Sequence, residues 1–222
     1  MTYRDLAEHQ LAAFDASENP SAYIMAIAYL PRLLPIFHPA FFAGAIRSLD
    51  IGGGTGALPD WFLARYPSSS WTVFDNSSHL LAKNSTDARK TVVCGKAQFL
   101  HKHLEGRRCD LAIMHCVLHH LVGMSYRESL DFIASALRQA RSLLQPDGHL
   151  SVIEIAYDGW PVDSWASHIL YGLTSSRTLA PITGTLGANT AGVGVCYLSS
   201  DCWRRVLHDV GFQIVHQEEL AD

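Results

Sequence analysis

Between residues 46 and 155 the apolar positions change period again and again. Short runs rich in β-branched and aromatic side chains, at 46–51, 71–75, 91–94, 110–116 and 149–155, read as strands. Helical spacing fills the intervals at 57–65, 77–89 and 126–144, and Pro146-Asp147-Gly148 stops the last of these. Strands alternating with helices pair in parallel. The pattern therefore predicts an α/β fold with a doubly wound, mostly parallel sheet, whose ligands lie outside the C-terminal ends of the strands.

The flanks read differently. Residues 1–45 are expected to form an N-terminal helical cap, with Leu6, Leu11 and Phe14 on one face of a first helix and a second helix over 23–34. Asn19-Pro20 breaks between them, and Pro31, Pro35 and Pro39 punctuate the stretch beyond. Residues 46–222 form the main domain. Within it the pattern dissolves over 156–199 into a segment rich in Gly, Thr and Ser, with one helix around 164–173. A loop of that length is uncommon in a compact domain and suits a lid. A helix over 200–210 ends at Gly211, and a strand over 212–217 comes after it.

Composition narrows the class. A chain of 222 residues with 48% hydrophobic content can bury one sizeable core. A net charge of −4 argues against nucleic acid as the main partner, because phosphate backbones call for a basic surface. Five scattered cysteines without C-x-x-C spacing read as free or buried thiols of a reducing compartment, so a cytoplasmic location is expected. The opening residues are polar and mixed in charge, unlike a signal peptide. The most apolar run, 36–46, is interrupted by His38 and Pro39 and is too short to cross a bilayer, so no membrane partner is expected.

The most telling stretch joins the first strand to its helix: Asp50-Ile51-Gly52-Gly53-Gly54-Thr55-Gly56. Glycines at that junction permit a sharp turn and close approach to a ligand, and the helix N-terminus then offers unpaired N–H groups to the crevice. The dinucleotide fingerprint is met as well, by Gly52, Gly54 and Ala57, so the loop alone leaves the cofactor open. The order of segments adds to it. LDIGGGTGALPDWFLARYP, then WTVFD, CDLAIMHCVLHHL and ALRQARSLLQPDGHLSVIE succeed one another. Over roughly residues 45–217 the chain resembles the class I S-adenosylmethionine (SAM)-dependent methyltransferases of the small-molecule type.

That resemblance implies SAM as cofactor, held by Asp50, Gly52, Gly53, Gly54 and Gly56, with its ribose on Asp75 and with Asn76 beside it. A carboxylate suits a vicinal diol because it only accepts hydrogen bonds. The family often carries an acidic residue after the third strand for the adenine amino group. Lys96 stands there instead, which leaves a backbone carbonyl or the Gln98 side chain for adenine, with Phe99 or Leu100 against the adenine ring. His115 is grouped with the cofactor residues. The family sheet usually finishes with a two-stranded hairpin, of which only one strand is predicted. Either the last strand is missing or the chain is one piece of a longer protein, and the second reading is preferred.

The candidate chemistry lies after the fourth strand. Val117-Leu118-His119-His120 resembles the Ile-Leu-His-Asp stretch of small-molecule O-methyltransferases, which implies His119 as the base that deprotonates the acceptor, with His120 as second candidate. An imidazole of ordinary pKa near 6.5 suits that role at neutral pH. Glu154, closing the fifth strand, corresponds to a glutamate that orients the histidine; the family's second glutamate falls near Tyr197. Competing readings are a histidine pair that only caps a helix or packs on the cofactor, and a solvated strand-end carboxylate. A metal is not expected: His115 and His119 are four apart, but His115 sits in a strand, and the clustered Asp/Asn ligands of magnesium-dependent relatives are absent. Tyr23, Trp160, Trp165, Tyr171 and Tyr197 are the aromatics available to wall a pocket.

The expected function is metal-independent methyl transfer from SAM to a small molecule, at a hydroxyl oxygen, with further domains or a homo-oligomer as possible company. Two alternatives stand beside it. One is a methyltransferase-like domain that binds SAM or a partner without turnover. The other is a nicotinamide-dependent oxidoreductase, although no tyrosine has a lysine four residues later, as a short-chain reductase requires.

Overall fold

Alternation along the central strands sorts their side chains onto two faces, and helices cover both. The computed structural model describes residues 3–6, 10, 20–37, 46–186 and 190–219. Its strands are β1 (Arg47–Ile51), β2 (Ser70–Asp75), β3 (Lys90–Cys94), β4 (Cys109–His115) and β5 (Leu144–Ile153). The helices are α1 (Pro20–Phe37), α2 (Ala57–Arg65), α3 (Ser78–Leu81), α4 (Leu100–Leu104), α5 (Tyr126–Leu143), α6 (Trp165–Ser175), α7 (Ala180–Thr185) and α8 (Ser200–Asp209). Every strand pairing is parallel, in the order β3-β2-β1-β4-β5. The expected doubly wound α/β fold is present. The order reverses between β1 and β4, which is where such a sheet opens its crevice.

On one face Leu49, Ile51, Phe74, Ala112 and Met114 pack with residues of α4, α5 and α8, among them Leu100, Ile133, Leu137 and Trp203. On the other face Trp71, Leu111 and Ile113 meet Leu58, Phe62 and Leu63 of α2 and Ala26, Leu30 and Leu34 of α1. Strands covered on both sides read as nearly continuous apolar runs, which is why they are visible in the sequence. The N-terminal helix is thus a layer of the core, and Tyr23, expected at a pocket wall, packs against that core instead.

Several element boundaries differ from expectation. The helix over 77–89 is only α3; beyond it Asn84 donates to the carbonyls of Gly54 and Leu81, and Asp87 accepts from Arg89, so local side-chain bonds replace the helix. Pro31 and Pro35 lie inside α1, where burial of Ala26, Leu30 and Leu34 outweighs the hydrogen bonds two prolines delete. Neither α4 nor α7 was visible as a periodic pattern, both being too short to show one. The strand β5 starts at Leu144 and absorbs Pro146-Asp147-Gly148 in a register shift between Cys109–Leu144 and Leu111–His149; it ends at Ile153, not 155. Residues 212–217 are not a strand: they join no strand of the described sheet, and Ile214 and Val215 stay exposed. Leu11, Phe14 and Pro39 lie outside the described residues.

If α1 is core, Leu30→Ala and Leu34→Ala should each cost about 2–5 kcal/mol in urea denaturation, as buried leucines do. A helix merely covering a pocket would lose far less, with its cost appearing in ligand binding.

Candidate active site

The chain leaves β1 through Asp50 and Ile51 and turns into α2. Gly52 has φ of +80°, and a Cβ there would stand 2.5 Å from Val117 Cγ2, so the loop backbone presses directly on the turn after β4. Gly56, at φ +75°, leaves room for Asn84, whose Oδ1 would lie 1.9 Å from an added Cβ. Gly53 lies against the Asp50 carboxylate, 2.7 Å from Oδ2 to the position a Cβ would take. Asp50 is buried, and that burial, with the charge of Asp75 adding to it, pushes its carboxyl up to about 7.

At the end of β2, Asp75 ties the loop to its own turn. Its Oδ2 accepts from the Gly54 N–H at 3.1 Å and its Oδ1 from the Ser77 N–H at 2.8 Å. Burial raises this carboxyl, while N–H bonds from Ser77, Gly54 and Asn76 pull it back down. Asn76 itself is exposed. An ionised carboxylate has about four acceptor positions, so the backbone contacts leave capacity for a diol. After β3, Gln98 is buried in a 3-10 turn, Ala97–Phe99, and among the described residues neither atom of its side-chain amide has a partner. A buried amide without a partner is costly, and a ligand with matching donors and acceptors would relieve it. Phe99 is half-exposed with the Lys102 ammonium 4.8 Å over its ring. A cradle lacking Cβ atoms, a carboxylate with spare acceptors and an orphan amide fit an adenosyl cofactor.

The turn after β4 carries the densest chemistry. Cys116 adopts φ of +50°, a left-handed conformation that costs a non-glycine residue about 1–3 kcal/mol. It reverses the chain so that the Leu118 N–H reaches Glu154 Oε1 at 2.6 Å and His119 Nδ1 reaches Glu154 Oε2 at 2.6 Å. The two side chains are 5% and 2% exposed. A carboxylate cannot donate, so Nδ1 carries the proton and Nε2 keeps a free lone pair. The His119 ring is flanked by His120, centroids 4.0 Å apart, and by Tyr197, 4.9 Å away and tilted 33°. Burial first, and then electrostatic interaction with the adjacent His119, hold His120 well below the ordinary imidazole range, so it stays neutral. Burial and Glu154 push the Cys116 thiol up to about 12, which leaves no thiolate there at neutral pH.

Of the predicted residues, Asp50, the glycines, Asp75, His119 and Glu154 converge on the C-terminal ends of β1, β2, β4 and β5. His115 is the last residue of β4; its Nε2 is 2.9 Å from Ser151 Oγ on β5, and burial lowers it to about 3. Among the described residues no three His, Cys, Asp or Glu side chains converge as a metal site. All five cysteines are free, and no described helix is long and apolar enough to cross a membrane. Of the expected pocket aromatics, Trp160 and Trp165 are exposed, Tyr171 donates to the Gly123 carbonyl at 3.0 Å, and Tyr197 alone touches the histidine pair. Tyr157, beside Tyr197 at 5.2 Å, and the left-handed Cys116 carried no signal in the sequence.

The family profile described as "Methyltransferase domain" matches residues 49–150, which span β1 to β5 and both glycine and histidine turns. No curated protein matches the chain in sequence. Among solved structures the chain is similar to the mitomycin 7-O-methyltransferase MmcR, at TM-score 0.55 and 19% identity over 79% of this chain and 45% of that one. An O-methyltransferase family protein from Burkholderia thailandensis is similar at TM-score 0.57 and 16% identity, over 95% of this chain and 59% of that one. CalO1, a methyltransferase in calicheamicin biosynthesis solved with SAH bound, has TM-score 0.52 and 17% identity, over 92% and 55%. The chain thus spans about half the length of the structures it resembles. The sheet order, the glycine turn and the matched profile agree on a methyltransferase domain over residues 49–150, and the chain shares the Rossmann-like fold of these solved methyltransferases.

Proposed function

We propose that this protein transfers the methyl group of SAM to a hydroxyl of a small molecule without a metal, with His119 as general base and Glu154 holding it in place. The observation that carries this reading is the buried His119–Glu154 contact at 2.6 Å, reached from a turn whose Val117 presses on Gly52. Base and cofactor loop are thereby held as one rigid unit, which in-line transfer demands. SAM supplies an electrophilic methyl group on a sulfonium. The chain's own residues do the rest. Asp75 would accept from the ribose diol, Gln98 would offer its amide to adenine beside Phe99, and Asp50 and Asp75 would supply negative charge to a cationic ligand. His119 Nε2 takes the acceptor's proton, while Glu154 stabilises the imidazolium that forms. The O-methyltransferase relatives support a hydroxyl acceptor.

Asp75→Ala should weaken SAM binding by about 2–4 kcal/mol through the loss of two hydroxyl contacts to a charged acceptor. Calorimetric titration measures this, and unchanged affinity would remove the ribose assignment.

The binding should also depend on pH. Asp50 is raised to about 7, so it is largely neutral below that value and ionised above it. A cationic ligand favours the ionised form, so SAM affinity should climb from about pH 5.5 to about pH 8 and then level off. Asp50→Asn should flatten that climb; an identical profile in the variant assigns the dependence to another group.

Turnover tests the base. Against a panel of phenols and other hydroxyl compounds, His119→Ala should lower kcat by roughly two to four orders of magnitude while SAM affinity is kept. Glu154→Gln should lower it less. Full activity in His119→Ala would point to transfer by positioning alone, onto an acceptor already ionised at neutral pH.

A further inference from the structure

The first residues described make contacts out of proportion to their number. The Tyr3 hydroxyl donates to the His120 carbonyl at 3.2 Å, and its ring stands edge-on to Phe132 at 5.7 Å. The Arg4 N–H donates to the Val122 carbonyl at 3.0 Å. Arg4 Nη1 reaches three more carbonyls, Ser175 at 2.8 Å, Val193 at 3.3 Å and Gly192 at 3.5 Å. Asp5 forms an ion pair with Lys96 at 2.8 Å, and the same ammonium lies 5.0 Å over the Tyr3 ring.

These partners are not scattered. His120 belongs to the turn that carries the proposed base, and Lys96 leads into the turn that carries Gln98. Ser175, Gly192 and Val193 lie in the 156–199 segment. Tyr3 also lies within electrostatic reach of Asp75: burial first, then Asp5 and Asp75, hold its phenol well above the ordinary range. Three consecutive residues therefore tie both walls of the crevice to the segment beyond β5. Their anchors differ in strength. An exposed ion pair and a single hydroxyl bond are weak contacts that open readily, whereas a guanidinium on several carbonyls is a firmer one.

We propose that residues 3–5 form a clasp over the cofactor crevice, which must release before cofactor enters or leaves and which couples that release to the 156–199 segment. The proposal rests on the SAM reading above and adds to it a path by which the far segment senses the cofactor. Lys96, which departs from the acidic residue common in the family, acquires a role as the catch on which Asp5 closes. Tyr3 is the part of the clasp nearest Asp75, and Arg4 is its link to the segment beyond.

The test is stopped-flow displacement of S-adenosylhomocysteine from the full chain, followed by tryptophan fluorescence. Lys96→Glu sets like charges face to face and should speed dissociation about threefold, a size suited to an exposed pair. The double variant Asp5→Lys/Lys96→Glu should restore the original rate, a rescue that mere loss of structure cannot give. Tyr3→Ala should speed dissociation about tenfold by removing a hydrogen bond and a ring contact together. In the ligand-free protein, Arg4→Met should raise amide hydrogen exchange at Gly192 and Val195, whatever the cofactor. If the unaltered protein does not bind S-adenosylhomocysteine, the cofactor reading falls and the clasp with it. If it binds and all the variants release it within about twofold of the original rate, the clasp alone falls. Unchanged exchange in Arg4→Met removes the coupling to the 156–199 segment.

Discussion

The buried carboxylate of Glu154 is the constraint on which the rest of the site depends. A carboxylate held 2% exposed must have its lone pairs met by donors, and among the described residues the turn after β4 supplies them. For the Leu118 N–H and the His119 ring to reach it together, that turn has to fold back at Cys116, at the cost of a left-handed residue. Folded back, it sets Val117 on the cofactor loop, where only a glycine at 52 leaves space. One ion-like contact thus fixes the orientation of the His119 ring, the path of the strand end and the distance between that ring and the glycine turn.

A second group of carboxylates works differently. Asp50 and Asp75 stand at the ends of neighbouring strands and both are raised, Asp50 chiefly by burial and Asp75 by burial partly offset by N–H donors. Two such groups side by side disfavour each other's charge until a cation arrives. The tension is local, and it makes this corner a natural seat for a positively charged ligand, whereas the Glu154 corner is already satisfied by its own protein. In the proposed function, binding and proton transfer fall to separate strand ends, with β1 and β2 serving one and β4 and β5 the other.

Where the family's second carboxylate would fall, Tyr197 lies against the His119 ring, with Tyr157 beyond it. The imidazole is therefore oriented by one carboxylate on its nitrogen and by aromatic packing on its face. Cys196 also contributes, its N–H donating to the His119 carbonyl at 2.8 Å, so the 156–199 segment is bonded to the histidine turn through its backbone. The segment is joined to the sheet at a second point, the parallel bridge between Ala156 and Leu198. It is tethered at its two ends while Trp160, Leu186 and Ile182 in between remain exposed.

Read alone, the sequence determined the order of the core strands, the parallel sheet and the glycine turn. Buried parallel strands must be apolar on both faces, and a tight loop pressed on its neighbours must be glycine, so both constraints are written residue by residue. It also picked out His119 and Glu154, through likeness to a short family motif. What it did not determine were features that depend on residues distant along the chain. The second helix was expected over 23–34, and with Ala26, Leu30 and Leu34 buried against the sheet it runs from Pro20 through Pro35 to Phe37. Residues 212–217 carried a strand pattern, but a strand exists only where another lies beside it. The contact of Tyr3, Arg4 and Asp5 with turns roughly a hundred residues or more away left no local trace, because a hydrogen bond to a remote carbonyl puts no demand on its neighbours in sequence. Only the tertiary structure, by bringing those carbonyls and charges to one place, decided what the first residues touch.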